Sequence, residues 1–293
     1  MNVHVVPQQP VRRERIIALH CSGAGASQWR FLTEALGPHY EVLTPEHYGC
    51  ESTGQWTGEH AFTLADDAAR SIALIDDSDE NVHLVGHSYG GGVALYVALS
   101  RPDRIATMTL YEPSAFHLLR QMGQAGAKAF AEISAVARRL SQCVITGDYR
   151  AGVADFVDYW NDPGAWNATR PEVQKALVRW APKGPLDFHA LFEDPTPAEA
   201  YRALNFPALI LRGERAPLPT RVISERLLEL LPHSRLKVVA GAGHMGPMTH
   251  ASKVAEMIAQ HIAAVRAQSS TRSQPIRSLT GSLTRLAMSA FGA

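Results

Sequence analysis

The chain has 293 residues, of which 46% are hydrophobic and 19% are charged. This composition is typical of a folded globular protein and excludes a chain that is disordered throughout. The 28 Lys and Arg residues balance 28 Asp and Glu residues, so the net charge gives no general attraction to nucleic acid. We therefore expect a small-molecule substrate as the partner, and the composition indicates no particular oligomeric state.

The cysteines and the N-terminal residues bear on where the protein works. Cys21, Cys50 and Cys143 are the only cysteines and show no Cys-x-x-Cys spacing, which argues against a disulfide framework and against a thiolate metal site. Residues 1–15 contain no apolar stretch of signal-peptide length, and no segment approaches the roughly 20 apolar residues that cross a bilayer. These features predict a cytoplasmic protein without stable membrane insertion.

Short apolar segments alternate with longer periodic ones, a pattern that predicts strands and helices in turn. We predict an α/β fold with a mostly parallel central sheet flanked by helices. Thr63 and Asp66 form a capping-box pattern that opens a helix through Ile75. The other predicted helices are Gln28 to Leu36, Gly90 to Leu99, Thr220 to Leu231 and Ser252 to Val265. The predicted strands are Ile16 to Leu19, Val42 to Thr44, Val82 to Val85, Ile105 to Leu110, Ala208 to Leu211 and Leu236 to Val239.

The alternating pattern is interrupted between about Pro113 and Ala203. This stretch carries Trp160, Trp166 and Trp180, three of the five tryptophans, together with several prolines. We predict a helical cap at 113–203, inserted into a core formed by 1–112 and 204–265. Because large aromatic side chains usually serve packing, most of them are expected to fill the interior of the cap, with one or two facing a ligand.

The C-terminal segment 266–293 differs in composition from the rest of the chain. It is basic, and its apolar residues have the spacing of a short amphipathic helix. We consider docking on the body, contact with a partner and association with a membrane surface, with a frayed tail as the leading interpretation. The apolar residues concerned are Ile276, Leu279, Leu283, Leu286 and Phe291.

The strongest local motif is Gly86-His87-Ser88-Tyr89-Gly90, which has the form Gly-x-Ser-x-Gly. It follows a predicted strand and precedes a predicted helix, the setting in which this motif presents a nucleophilic serine on a sharp turn. Glycines two residues before and after the serine leave room where strand and helix crowd together. We predict Ser88 as the nucleophile and the Tyr89 N–H as an oxyanion donor. The alternative is a glycine-rich turn with an incidental serine.

A serine hydroxyl needs a neighbouring base to act as a nucleophile at neutral pH. His244 follows the last predicted strand within a run of small residues, Ala240-Gly241-Ala242-Gly243, that leaves a loop free to direct an imidazole toward Ser88. We predict His244 as this base. His250 is the alternative, although it is expected to open the final helix and to point elsewhere.

From about residue 14 to 265 the chain resembles the α/β-hydrolase superfamily. The resemblance rests on the chain order of Ser88 and His244 and on His20-Cys21-Ser22-Gly23 after the first strand, which is similar to the family's His-Gly-x segment. It implies an α/β-hydrolase fold and the Ser22 N–H as the second oxyanion donor. Cys21 occupies a position where the family commonly has glycine, and we interpret it as a small buried side chain rather than a nucleophile.

The third expected catalytic group is an acid that orients His244. Its position departs from the commonest pattern in the family. Family members usually carry an aspartate after the penultimate strand, where this chain has Ala216. Without an acid, the imidazole would lack a partner for its N–H. Glu112, which follows the strand Ile105 to Leu110, is our preferred acid, because certain haloalkane dehalogenases resemble this placement; its alternative role is to cap the segment entering the insert. Glu214 is the second candidate, although an ion pair with a neighbouring arginine is its favoured role.

These residues together predict a serine hydrolase that cleaves an ester, thioester or related activated carbonyl bond of a small to medium, apolar substrate through an acyl-enzyme. A serine nucleophile argues against haloalkane dehalogenase and epoxide hydrolase chemistry, which needs an aspartate. Carbon–carbon bond hydrolysis and perhydrolysis remain open, as does a non-catalytic or weakly catalytic ligand-binding protein on a hydrolase scaffold. No metal or cofactor is expected, because His83 and His87 share no helical face and the Gly23 region lacks a dinucleotide-binding fingerprint.

Overall fold

The computed structural model describes residues 13–272, and side chains through residue 267. Its core is a six-stranded sheet in the order β2-β1-β3-β4-β5-β6, in which every neighbouring pair is parallel. Each predicted strand is present, so the predicted α/β class with a mostly parallel sheet is confirmed. The strands are β1 (Glu14–Leu19), β2 (Tyr40–Leu43), β3 (Val82–His87), β4 (Ile105–Tyr111), β5 (Ala208–Gly213) and β6 (Ser234–Val239).

Helices account for most of the remaining described chain. The capping box predicted for Thr63 and Asp66 is present, with the Thr63 N–H donating to the Asp66 carboxylate at 2.8 Å. The α-helices are α1 (Arg30–Leu36), α2 (Leu64–Asp76), α3 (Tyr89–Ser100), α4 (His117–Gln121), α5 (Ala127–Ile145), α6 (Tyr149–Trp160), α7 (Ala165–Ala168), α8 (Pro171–Trp180), α9 (Gly184–Phe192), α10 (Leu218–Leu230), α11 (Gly246–Thr249) and α12 (Ala251–Arg272).

The sheet separates two apolar layers because successive side chains of a strand point to opposite faces. In β1, Ile17 and Leu19 pack with residues of α2, α3 and α10. Ile16 and Ala18 pack on the opposite side, with residues of α1 and α12. Strands that are buried on both faces explain the continuous apolar runs in the sequence.

Helices α4 to α9 lie between β4 and β5 in the chain and form the helical insert that the aromatic-rich stretch predicts. Trp160, Trp166 and Trp180 are all buried. Phe116, Phe188 and Phe192 pack ring against ring, with centroids 5.5 to 6.0 Å apart. Most of the aromatic residues therefore serve packing, while the exact borders of the insert stay a prediction.

The last helix of the described chain is longer than the sequence predicts. Helix α12 begins near the expected residue but continues to Arg272, past the predicted start of the tail at residue 266. Arg266, within this extension, forms an ion pair with Glu14 at 3.2 Å. The apolar positions predicted for an amphipathic tail helix lie outside the described residues. No helix in the described range is both long and apolar enough to cross a membrane.

Helix α3 packs against the end of β1 so closely that position 90 tolerates no side chain. A Cβ at Gly90 would collide with the carbonyl oxygens of Leu19 and His20. We therefore expect Gly90→Ala to lower the free energy of unfolding by about 3 kcal/mol, measured by urea denaturation. Gly123→Ala is the control, because position 123 has a φ of +57° but no neighbour within 4 Å; it should cost about 1 kcal/mol. Equal losses would contradict the steric explanation.

Candidate active site

Ser88 lies at the turn between β3 and α3 with a φ of 54°, a backbone conformation that residues with a side chain rarely adopt. Hydrogen bonds on both sides hold this strained residue in place. Its N–H donates to the Tyr111 carbonyl at 3.0 Å, and its carbonyl accepts from the N–H groups of Gly91 at 2.9 Å and Ser114 at 3.0 Å. The sharp turn expected from the motif is therefore present and is anchored to the end of β4.

His244 lies in the loop between β6 and α11, and its ring meets Ser88. The distance from His244 Nε2 to Ser88 Oγ is 2.9 Å. Residues at the ends of β3 and β4 hold this loop in place. His87 Nε2 donates to the His244 carbonyl at 2.9 Å, and the Tyr111 hydroxyl donates to the Gly243 carbonyl at 2.7 Å. His250, the alternative base, contacts the Thr249 hydroxyl instead.

The insert supplies a contact to the same imidazole. Trp160, at the end of α6, stacks on His244 with ring centroids 4.0 Å apart and an angle of 29° between the planes. This contact restricts rotation of the imidazole away from Ser88. Of the three tryptophans in the insert, Trp160 is the one stacked on His244, and sequence periodicity alone did not distinguish it from the other two.

Glu112 occupies the other side of the imidazole. Its Oε2 lies 2.8 Å from His244 Nδ1, and the residue is fully buried. Since a carboxylate only accepts, Nδ1 carries the proton, which leaves Nε2 free to accept from the Ser88 hydroxyl. The carboxylate is held by the Gly213 N–H at Oε1 and the Thr220 hydroxyl at Oε2, each at 2.8 Å.

Glu214 lies apart from this arrangement. It is exposed, and its carboxylate accepts from the Gly241 N–H at 2.8 Å, so that it holds the turn after β6. Neighbouring Arg215 contacts Asp162 at 3.4 Å. The structure therefore brings Glu112, and not Glu214, to His244. Thr220, which orients Glu112, was missed by sequence reasoning. It lies shortly after Ala216, and no motif marks its hydroxyl as part of a site.

Ser22 and Tyr89, the two expected oxyanion residues, both line a small cavity of about 20 Å³ next to Ser88. The loop before Ser22 is anchored by the Cys21 N–H, which donates to Gln28 Oε1 at 3.1 Å. Burial raises the pKa of the Cys21 thiol to about 12, so this thiol stays protonated at neutral pH and is a poor nucleophile.

A second hydroxyl, which sequence reasoning missed, contacts Ser88, the predicted nucleophile. Ser114 Oγ lies 3.2 Å from Ser88 Oγ and is buried. When Ser88 donates its proton to His244, the hydroxyl of Ser114 is the donor in this pair. Ser114 follows Glu112 by two residues, so one short segment after β4 provides both a carboxylate and a hydroxyl to the site.

A cavity of about 270 Å³ opens onto Ser88 and His244. Its walls come from the loop after β1, from the insert and from the region of α11. Among the described residues, none that line it is Asp, Glu, Lys or Arg. Apolar lining residues include Phe156, Val157, Trp160, Val173, Leu177 and Met248.

Comparison with known proteins finds relatives that match part of the chain. The carbamate hydrolase RutD of Azorhizobium caulinodans is 32% identical over 90 residues, which cover 30% of this chain and 33% of that protein. The chain thus matches about a third of the length of that relative. The 2-(acetamidomethylene)succinate hydrolase of Mesorhizobium japonicum is 29% identical over 64% of this chain and 66% of its own length.

Solved structures give a match over more of the chain. An α/β hydrolase from a Medee basin deep-sea metagenome library superposes with a TM-score of 0.72 at 15% identity, covering 87% of this chain and 91% of that chain. At this identity the similarity concerns the fold alone. The family model described as "Alpha/beta hydrolase family" matches residues 16–257. These residues include all six strands, apart from the first two residues of β1, together with Ser88 and His244. The chain belongs to the α/β hydrolase family.

Proposed function

We propose that the protein is a serine hydrolase that cleaves an ester, thioester or related activated carbonyl bond through an acyl-enzyme. The observation that carries this proposal is the continuous path of hydrogen bonds from Ser88 Oγ through the His244 ring to the Glu112 carboxylate, with distances of 2.9 and 2.8 Å. A nucleophile, a base and a group that orients the base are the parts that nucleophilic acyl transfer requires.

In the proposed cycle Ser88 Oγ attacks the substrate carbonyl carbon while its proton passes to His244 Nε2. The N–H groups of Ser22 and Tyr89 stabilise the negative oxygen, and the charge of Glu112 stabilises the imidazolium. As the bond to the leaving group breaks, His244 returns the proton to that group. A water molecule then attacks the acyl carbon and gives one proton to His244. As the bond from the acyl carbon to Ser88 Oγ breaks, His244 passes this proton to Ser88 Oγ, so that the acid and the free Ser88 hydroxyl are released. This cycle uses only protein groups and water.

The cavity supports a neutral, largely apolar substrate of small to medium size. Its volume of about 270 Å³ and apolar lining favour burial of hydrocarbon over burial of a charged group. The related hydrolase from Mesorhizobium japonicum is named for a succinate, which carries two carboxylates. Among the described residues that line this cavity, none is Lys or Arg. Arg215 lines a smaller neighbouring cavity at His244 but is paired with Asp162. We therefore propose a different substrate class for this chain.

We also propose a cytoplasmic location and a small molecule as the main partner. Cys21, Cys50 and Cys143 are all free thiols, which is usual for proteins of a reducing compartment. The balanced net charge supports a small-molecule partner over nucleic acid.

The proposed nucleophile is tested with p-nitrophenyl esters of graded chain length and a fluorophosphonate probe. Wild-type protein should be labelled once and should hydrolyse short- to medium-chain esters, whereas Ser88→Ala should lose both activities. Ser100→Ala, in the last turn of α3 with its hydroxyl bonded to the Tyr96 carbonyl, is the matched control and should keep them. Wild-type protein that neither reacts nor turns over any ester would favour the ligand-binding alternative.

The acid is tested by comparing Glu112→Gln with Glu214→Gln. An amide at position 112 would place an N–H group among three donors and destabilise the imidazolium, so kcat/KM should fall by about 10³- to 10⁴-fold. Glu214→Gln, which affects a turn, should stay within about twofold of wild type. Steady-state kinetics measures both, and the reverse result would assign the acid to Glu214.

The cavity assignment is tested at Leu177, in the wall contributed by α8. Leu177→Ala enlarges the cavity, so the ratio of kcat/KM for an octanoate ester to that for an acetate ester should rise about 5- to 10-fold. The exposed Leu228 of α10 provides a matched control, and Leu228→Ala should leave the ratio unchanged. An unchanged ratio in Leu177→Ala would place the substrate chain elsewhere.

A further inference from the structure

A lysine is fully buried between the insert and the core. Lys183, in the short segment between α8 and α9, is 0% exposed. Its Nζ lies 2.9 Å from Asp67 Oδ2 of α2 and also contacts Asp187 Oδ1 of α9. A buried charge is very unfavourable unless it is paired and hydrogen-bonded, and here both partners are buried carboxylates. Lys183 therefore links a core helix to a helix of the insert.

Each carboxylate also holds one residue of the proposed oxyanion site. The Ser22 hydroxyl donates to Asp187 Oδ2 at 2.7 Å. The Tyr89 hydroxyl donates to Asp67 Oδ2 at 2.7 Å. Ser22 and Tyr89, whose backbone N–H groups are assigned to the oxyanion, are therefore each linked through one carboxylate to the ammonium group of Lys183.

Further contacts make this cluster well defined. The Trp180 indole N–H donates to Asp187 at 3.3 Å, and the Tyr48 N–H donates to Asp67 at 2.8 Å. The ammonium group also lies 4.8 Å from the centre of the Tyr89 ring, within the range of a cation–π contact. Burial alone would lower the pKa of Lys183, but the two carboxylates outweigh it and hold this pKa above its usual value. The lysine is therefore a cation at neutral pH.

We propose that Lys183 is a positioning residue for oxyanion stabilisation: through Asp187 and Asp67 it fixes Ser22 and Tyr89 so that their N–H groups converge beside Ser88. The inference rests on the proposed function. Oxyanion donors lower a barrier only when they are held in place before charge develops. Lys183 touches no reacting atom, and it couples docking of the insert to the alignment of two donors that belong to the core.

The inference is tested first by removing one hydroxyl at a time. Tyr89→Phe and Ser22→Ala keep both N–H groups and all three charges, but each deletes one link to the cluster. Each should lower kcat for a p-nitrophenyl ester about 10-fold with KM within about twofold, because the interaction is made in the transition state. Binding of an alkyl boronic acid, a mimic of the tetrahedral intermediate, should weaken by a similar factor.

Tyr201→Phe is the matched control. Tyr201 is also a buried tyrosine of the region joining insert and core, but its hydroxyl contacts His117 Nε2 at 3.1 Å, and it does not line the cavities next to Ser88. Its kcat and boronic acid affinity should stay within about twofold of wild type. An active enzyme in which Tyr89→Phe and Ser22→Ala behave like Tyr201→Phe would overturn the inference.

Lys183→Met tests whether the two links share one anchor. This variant should lose at least as much kcat as Tyr89→Phe, and adding Tyr89→Phe to it should cause less further loss than in wild type, because both changes break the same path. Fully additive losses would overturn the shared anchor. Should Lys183→Met fail to fold in a thermal unfolding assay, Lys183→Met with Asp187→Asn, which removes one unpaired charge, takes its place in the cycle.

Backbone hydrogen exchange, followed by mass spectrometry, gives a readout that needs no substrate. Exchange in segments 20–24 and 88–92 should become about 10-fold faster in Lys183→Met and in the hydroxyl variants than in Tyr201→Phe. Unchanged exchange in those segments would overturn the inference. A wild-type protein that fails to react with the fluorophosphonate would instead refute the proposed function, while exchange still decides whether Lys183 fixes these segments.

Discussion

The proposed chemistry depends first on the contact between His244 Nε2 and Ser88 Oγ, which lie 2.9 Å apart. It joins a turn after β3 to a loop after β6, two segments separated by 156 positions in the chain. They meet because all six strands are parallel, so the carboxyl ends of the strands and the loops that follow them lie along one edge of the sheet. Hydrogen bonds with Tyr111 of β4, Gly91 of α3 and Ser114 hold the strained backbone of Ser88 in place.

The position of Glu112 shows how the fold accommodates the proposed acid away from its usual place in the family. Strand β4 lies next to both β3 and β5, so a side chain at its end is close to the turn at Ser88 and to the end of β5. Glu112 adopts a φ of 41° and directs its carboxylate to Gly213, the last residue of β5, and to Thr220, in the first turn of α10. The region that usually provides the aspartate here provides donors for a carboxylate from the neighbouring strand.

The insert does more than cover the cavity. Through Trp160 it packs on the imidazole, and through Lys183 and Asp187 it reaches the side chains of Tyr89 and Ser22. Both contacts join residues far apart in the chain, and both act on groups assigned to catalysis. Short-range contacts therefore link the geometry of the core site to the docking of the insert. Packed side chains and buried charges leave the groups that they join little freedom to move.

Features that depend on neighbours along the chain could be predicted from the amino-acid sequence. The apolar runs determined the strands, Thr63 and Asp66 determined a helix start, and the glycines around Ser88 determined the form of the turn, because each is a matter of local backbone and packing rules. Features that depend on distance in space are visible only in the folded protein, because tertiary packing sets them. It selected Glu112 over Glu214 as the partner of His244, placed Trp160 rather than Trp166 or Trp180 on the imidazole, and brought Lys183 to Asp67 from 116 positions away. A hydrogen bond or ion pair needs atoms within about 3 Å, and only the packing of the sheet, its helices and the insert determines which distant residues come that close.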